Sequence, residues 1–224
     1  MGMALKSRHT FVFGPSDAGK STYLREFQDK FPGHTIFVNH ASGTGDYDGG
    51  FAGHRCATRQ EIHKAVERSG RIDAPIDFRP PSSKPREAFS EAAMYAVDYA
   101  DSVGSRTGTP VQIICDEFHQ AMPDGDGDPS ENPAAYLLHE GRDKGIKVVG
   151  ATQRPPKLDY DPLAQAKYFC FVGNPSVFAE GFFRYFSGFD MDDMPDREYQ
   201  ISVLNRSGEL MHERETDTKY ADGK

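Results

Sequence analysis

Gly14-Pro15-Ser16-Asp17-Ala18-Gly19-Lys20-Ser21 is the stretch whose reading decides the fold. It fits G-x-x-x-x-G-K-[ST] without a mismatch. Each part has a physical reason. Small residues let consecutive backbone N–H groups curl around phosphate oxygens. A helix beginning near Gly19 aims its positive end at the same anion. Lys20 has the reach for the β- and γ-phosphates, and Ser21 offers a hydroxyl to Mg2+. The candidate nucleotide-binding residues are therefore Gly14, Pro15, Ser16, Asp17, Ala18, Gly19, Lys20, Ser21 and Thr22. ATP and Mg2+ are the expected cofactors.

The surroundings suit this loop. His9 to Phe13 (HTFVF) is apolar and β-branched and reads as a strand running into it. Lys20 to Phe31 has helical periodicity through Tyr23, Leu24 and Phe27 and stops at Pro32-Gly33. Further strands are expected at Thr35 to Asn39, Ile76 to Phe78, Val111 to Cys115, Lys147 to Thr152 and Tyr168 to Val172. Helices are expected at Thr58 to Ser69, Ala88 to Ser102, Ala134 to Lys144 and Ser176 to Phe186. Tyr199 to Leu204 and Glu209 to Met211 flank a turn at Arg206-Ser207-Gly208 and read as a hairpin. Strands that are apolar throughout and alternate with helices predict an α/β fold. Its central sheet is mostly parallel, with helices on both faces and a C-terminal β-hairpin.

Val111-Gln112-Ile113-Ile114-Cys115-Asp116-Glu117 is an apolar strand ending in two acids. That is the Walker B arrangement. Asp116 at the tip is the second candidate metal ligand, with Ser21. Glu117 is placed to polarise an attacking water. A Glu directly after the Asp favours hydrolysis over transfer to an acceptor. It also predicts a sheet in which an extra strand separates the phosphate-loop strand from this one. Lys147 to Thr152 is a further core strand, and its tip carries Gln153 and Arg154.

Gly150-Ala151-Thr152-Gln153-Arg154-Pro155, with Gly141-Arg142-Asp143-Lys144-Gly145 upstream, resembles the HerA/FtsK superfamily of DNA-pumping ATPases. That superfamily includes the genome-packaging ATPases of membrane-containing icosahedral viruses. The resemblance spans roughly Phe11 to Thr152 and is specific at GPSDAGKS, IICDE and GATQRP. It implies a RecA-like (ASCE) P-loop core working as a ring, usually a hexamer, around double-stranded DNA. It implies a capsid-vertex or portal partner. By this resemblance Gln153 is the polar sensor of the γ-phosphate or its water. Arg142 matches the arginine finger that acts on a neighbouring subunit's ATP, with Arg154 as the weaker alternative. Together with Glu117 and Lys20 these complete the candidate catalytic set.

Bulk composition narrows the classes. Charged residues make up 27% and hydrophobic residues 37% of 224, as in a globular chain. No apolar run reaches membrane-spanning length, and the N-terminus lacks the apolar core of a secretory signal. The expected location is the cytoplasm, that of the host during infection or in association with a virion. Cys56, Cys115 and Cys170 are far apart and read as buried thiols. Only eight residues precede the first strand, so residues 1–212 are expected to form one ATPase domain, with 213–224 a polar, disordered tail. That minimal length most resembles a viral packaging ATPase.

Net charge is −8, so any DNA contact must be a local, sequence-independent one to phosphates. Two stretches are candidates. One is the Pro-rich run Arg79 to Arg86, with Arg79, Lys84 and Arg86. The other is the Gly-rich loop 41–53 together with Arg55. Asp124-Gly125-Asp126-Gly127-Asp128 departs from a calcium loop at Pro129 and Ala135 and reads as a solvated loop. The same motifs leave other functions open: a HerA/FtsK-like cellular or plasmid DNA translocase or helicase, a small-molecule kinase and a slow nucleotide switch.

Overall fold

The computed structural model describes residues 8–39, 53–71, 73–80, 84–122, 128–158, 163–174 and 189–215. The strands are β1 (Thr10–Phe13), β2 (His34–Val38), β3 (His54–Cys56), β4 (Ile76–Phe78), β5 (Val111–Cys115), β6 (Ile146–Thr152), β7 (Tyr168–Val172), β8 (Gln200–Asn205) and β9 (Leu210–Glu215). They form one sheet in the order β3-β4-β2-β5-β6-β1-β7-β8-β9. All pairings from β3 to β7 are parallel; β7–β8 and β8–β9 are antiparallel. β6 lies between β1 and β5, so the phosphate-loop strand and the acid-tipped strand are separated by one strand, as expected from Glu117.

The continuous apolar runs are explained by burial on both faces. On one face Phe11, Phe13, Ile36, Val38, Ile113, Cys115, Val148 and Phe169 pack in one cluster. α2 (Arg59–Ser69), α3 (Pro85–Tyr99) and α5 (Pro133–Glu140) cover that face, through residues such as Ile62, Phe89 and Leu137. The alternate residues Val12, Phe37, Ile114, Val149, Cys170 and Val203 point the other way, onto Tyr23, Leu24 and Phe27 of α1 (Lys20–Lys30). The period-2 alternation thus divides each strand between two cores.

Local chemistry fixes the helix starts. The Thr58 hydroxyl accepts from the Glu61 N–H at 3.2 Å while the Glu61 carboxylate accepts from the Ala57 N–H at 2.8 Å. Asn132 caps α5 through the Ala134 N–H at 2.8 Å, with Pro133 at the first helical position.

Several boundaries differ from the sequence reading. α3 starts at Pro85 and continues past Tyr99 as a π-helical turn, Ala100–Gly104, and a short α4 (Ser105–Thr107). There Ser102, Ser105 and Thr107 hydroxyls each donate to the carbonyl four residues back, which bends helices. α5 ends at Glu140, and turns carry the chain from Gly141 to Gly145, so Arg142 sits in a turn. β3 was not anticipated; His54–Cys56 pairs with β4. β9 runs to Glu215 rather than stopping at Met211, and Tyr199 lies outside β8. The Gly-rich stretch 41–52, the helix expected at Ser176 to Phe186 and residues 216–224 lie outside the described residues.

The hairpin is fastened to α1. The carboxylate of Glu26, fully buried, accepts from both terminal nitrogens of Arg214 at 3.2 and 2.6 Å and from Lys30 at 2.9 Å. A second buried charge lies in β6. Lys147 is 3% exposed, with its ammonium 4.4 Å from the centre of the Phe27 ring. Burial pushes its pKa down to about 7, with Cys170 acting weakly in the opposite sense.

The folded protein therefore releases this proton near pH 7, whereas the unfolded chain holds it to about 10.4. The unfolded state binds more protons in between, so stability rises with pH there, by at most about 1.4 kcal/mol per unit. Urea titrations between pH 7 and 8.5 should show that rise in the wild type and a flatter profile in Lys147→Met.

Candidate nucleotide site

Three strand tips meet at one end of the sheet. Phe13 of β1 is in register with Thr152 of β6, and Cys115 of β5 with Gly150. The residues that follow each strand, Gly14, Gln153 and Asp116-Glu117, therefore emerge side by side. Together with Ser16, Asp17, Gly19, Lys20, Ser21, Thr22 and Tyr199 the polar ones line a cleft of about 370 Å³.

The loop from Gly14 to Gly19 is packed closely from behind. A Cβ on Gly14 would stand 2.3 Å from the Val172 carbonyl oxygen, so only glycine fits there. Asp17 and Gly19 both have left-handed backbone, φ 62° and 98°, which curls the chain before α1 begins at Lys20. The Lys20 ammonium donates to the Pro15 carbonyl at 2.7 Å, which lays the side chain across the loop. Burial lowers the Lys20 pKa, while Asp116, Glu117 and Asp17 push it back up. The Ser21 hydroxyl lies 3.5 Å from Asp116 Oδ2.

Glu117 is held by its own backbone and by three neighbours. Its φ of 49° is left-handed, unusual for a glutamate, and its N–H donates to Asp116 Oδ1 at 2.9 Å. The Gln153 amide donates to Glu117 Oε1 at 2.9 Å. The Ser16 hydroxyl donates to Gln153 Oε1 at 2.6 Å. His119 Nδ1 stands 3.2 Å from Glu117 Oε2 and 2.9 Å from the Thr152 hydroxyl. A chain of contacts thus joins all three tips: Ser16, Gln153, Glu117, His119 and Thr152. Burial raises the Glu117 pKa, but the His119 hydrogen bond and the charges of His119, Lys20 and Arg154 outweigh it and hold it below the usual value.

Lys20, Ser21, Asp116, Glu117 and Gln153 are therefore gathered in one cleft. Arg142 is not among them. It lies in the turn leading into β6, at the opposite end of the sheet, 56% exposed and 3.2 Å from Asp143. There its charge joins burial and Lys147 in lowering the pKa of His9 to about 4. Arg154 is on the cleft side. The basic run is less bare than it reads: Arg79 pairs with Asp77 at 2.7 Å and Lys84 with Glu87 at 2.7 Å.

Two site residues escaped the sequence reading, His119 and Tyr199. A histidine two residues beyond an acidic pair on a tight turn is a usable signal. Tyr199 has no comparable signature, since tyrosine rarely takes its left-handed φ of 61°.

The donor set suits magnesium. Ser21 and Asp116 offer hard oxygens, and magnesium takes one or two protein ligands beside substrate phosphates and water. Among the described residues, no three His, Cys, Asp or Glu side chains form a self-sufficient metal cluster. No described helix is long and apolar enough to cross a membrane.

No protein-family model and no curated protein matches the chain. Solved structures do. One is the genome packaging NTPase B204 from Sulfolobus turreted icosahedral virus 2 in complex with ATP-gammaS. It has 15% identity and a TM-score of 0.71, over 95% of this chain and 98% of that one. Another is B204, the DNA-packaging ATPase from Sulfolobus turreted icosahedral virus, with 15% identity and a TM-score of 0.65, over 94% and 98%. The cytoplasmic domain of the Thermomonospora curvata type VII secretion ATPase EccC gives 13% identity and a TM-score of 0.52, over 94% of this chain and 24% of that one. At these identities the likeness is one of fold: the chain has the P-loop NTPase fold of the viral packaging ATPases, nearly end to end.

Proposed function

We propose that this chain is a ring-forming ATPase that hydrolyses ATP to drive double-stranded DNA into a preformed viral capsid. The observation that carries the reading is the hold on Glu117. An ionised carboxylate at the tip of β5 is aimed beside the phosphate loop and tied by Gln153 to Ser16 of that loop.

Each residue then has a role. The loop amides and Lys20 bind the triphosphate. Ser21 and Asp116 would hold magnesium, which would supply Lewis-acid neutralisation of the phosphate charge. Glu117 accepts the proton of the attacking water. Gln153 sits between Glu117 and Ser16, where a γ-phosphate and its water would be sensed together. His119 touches no substrate; it is a positioning residue that fixes the carboxylate against Thr152. Arg142 lies at the far end of the sheet from its own cleft, which is compatible with a finger reaching a neighbour's ATP in a ring. Arg154, close to Glu117, suits a role in its own subunit. The fold shared with viral packaging ATPases supports DNA as cargo and a portal or capsid-vertex protein as partner.

The deciding assay is ATP hydrolysis at low salt, with and without linear double-stranded DNA, using Lys20→Ala as the blank. DNA should stimulate turnover, and the stimulation should fall as salt rises. Glu117→Gln should cut turnover by at least about 100-fold. Turnover that requires a small acceptor and ignores DNA would replace this reading with a kinase.

His119→Ala separates positioning from binding. It should lower kcat on the order of 10- to 100-fold while leaving the KM for ATP close to wild type. A rise in KM with unchanged kcat would assign His119 to binding instead.

A further inference from the structure

Tyr199 plays no part in the chemistry just described, yet it is held against the phosphate loop. Its N–H donates to the Ala18 carbonyl at 3.2 Å. Its ring lies on Gly19: a Cβ there would stand 2.7 Å from Cδ1 and 3.1 Å from Cε1. The ring is 40% exposed and lines the same cleft as Ser21 and Thr22. Its backbone is left-handed, φ 61°, a conformation that persists in a tyrosine only where the surroundings impose it.

The surroundings do impose it. The side chain of Gln200, the next residue, ties down the loop that presents the ring. Gln200 Oε1 accepts from the N–H groups of Asp196 at 3.0 Å and Arg197 at 3.4 Å, and its amide nitrogen donates to Glu213 of β9. The Gln200 carbonyl accepts from the Gly173 N–H at 2.9 Å, which anchors the loop to the end of β7.

Strand order gives the ring its meaning. The groups that would act on a γ-phosphate come from β5 and β6, on one side of β1. Tyr199 precedes β8, on the other side of β1. A triphosphate lying along the loop with its γ end at Glu117 must carry its nucleoside towards that other side.

We propose that Tyr199 is the stacking platform for the nucleotide's base, so that the cleft selects a nucleoside triphosphate over a bare polyphosphate. The proposal rests on the reading of Gly14 to Thr22 as the phosphate loop. An aromatic ring fixed before the ligand arrives stacks a base with little loss of freedom, and every base offers a π face.

The test uses ATP and inorganic tripolyphosphate, with binding measured by calorimetry in magnesium. Tyr199→Ala should weaken ATP on the order of 10-fold or more and leave tripolyphosphate unchanged, while Tyr199→Phe should bind both as wild type. The chain contains no tryptophan, so Tyr199→Trp places a single indole at the site. Its fluorescence should respond to ATP and not to tripolyphosphate. Wild-type ATP affinity in Tyr199→Ala, with a silent indole while ATP still binds, overturns the proposal and leaves the phosphate loop standing. Equal loss of both ligands in Tyr199→Ala also overturns it, because Tyr199 would then only brace Gly19. Failure of the wild type to bind either ligand overturns the phosphate-loop reading and this proposal with it.

Discussion

The parallel register of β1, β6 and β5 is the constraint on which the site depends. Phe13 is paired with Thr152 and Cys115 with Gly150, so three chain segments leave the sheet within two residues of level. A slip of one residue would turn every side chain of a strand to the opposite face. It would exchange the core residues of the two helix-covered faces and swing Asp116 and Glu117 past each other. The apolar alternation that fills two cores is thus also what aims the acids. Burial energy, spread over the whole sheet, fixes a geometry used by a handful of polar atoms at its edge.

Strain at that edge is local and paired with restraint. Asp17, Glu117 and Tyr199, the described non-glycine residues with left-handed backbone, all line the cleft. Glu117 is held by Gln153 and His119, and Tyr199 by the loop that Gln200 fastens. Such positions need surroundings that leave no alternative. The contacts from Ser16 to Thr152 run through all three tips and return to β6, where Thr152 and Gln153 are adjacent. A change at the phosphate loop therefore has a direct path to the carboxylate.

Much of this was legible in the sequence. The phosphate loop, the acid-tipped strand and the strand ending in Thr152-Gln153 are short-range patterns: a motif or an apolar run followed by a polar tip. That one strand is inserted between β1 and β5 followed from the Glu after Asp116; that β6 is the one came from the structure. What was not legible depends on the third dimension. His54–Cys56 is three residues long, too short to show a period, and earns its strand only by pairing with β4. His119 reaches Glu117 because the chain turns left-handed between them. Tyr199 reads as the first residue of a strand, since nothing local says that it bends out towards Gly19. Arg79 and Lys84 read as bare cations because their partners, Asp77 and Glu87, stand just outside the run, two and three residues away, and only the local backbone geometry turns each pair together.

The ion pair between Glu26 and Arg214 joins residues 188 positions apart. Glu26 belongs to α1, the helix that opens with Lys20, and Arg214 to β9. Chains fold largely in the order in which they emerge, and distant pairings close late. Until β9 docks, therefore, α1 carries a carboxylate without its bidentate arginine. The same late hairpin carries Tyr199 at its root. The root of the cleft is thus braced by a contact that spans most of the described chain, and a cut anywhere between the two partners would leave the helix behind the cleft with an uncompensated buried carboxylate.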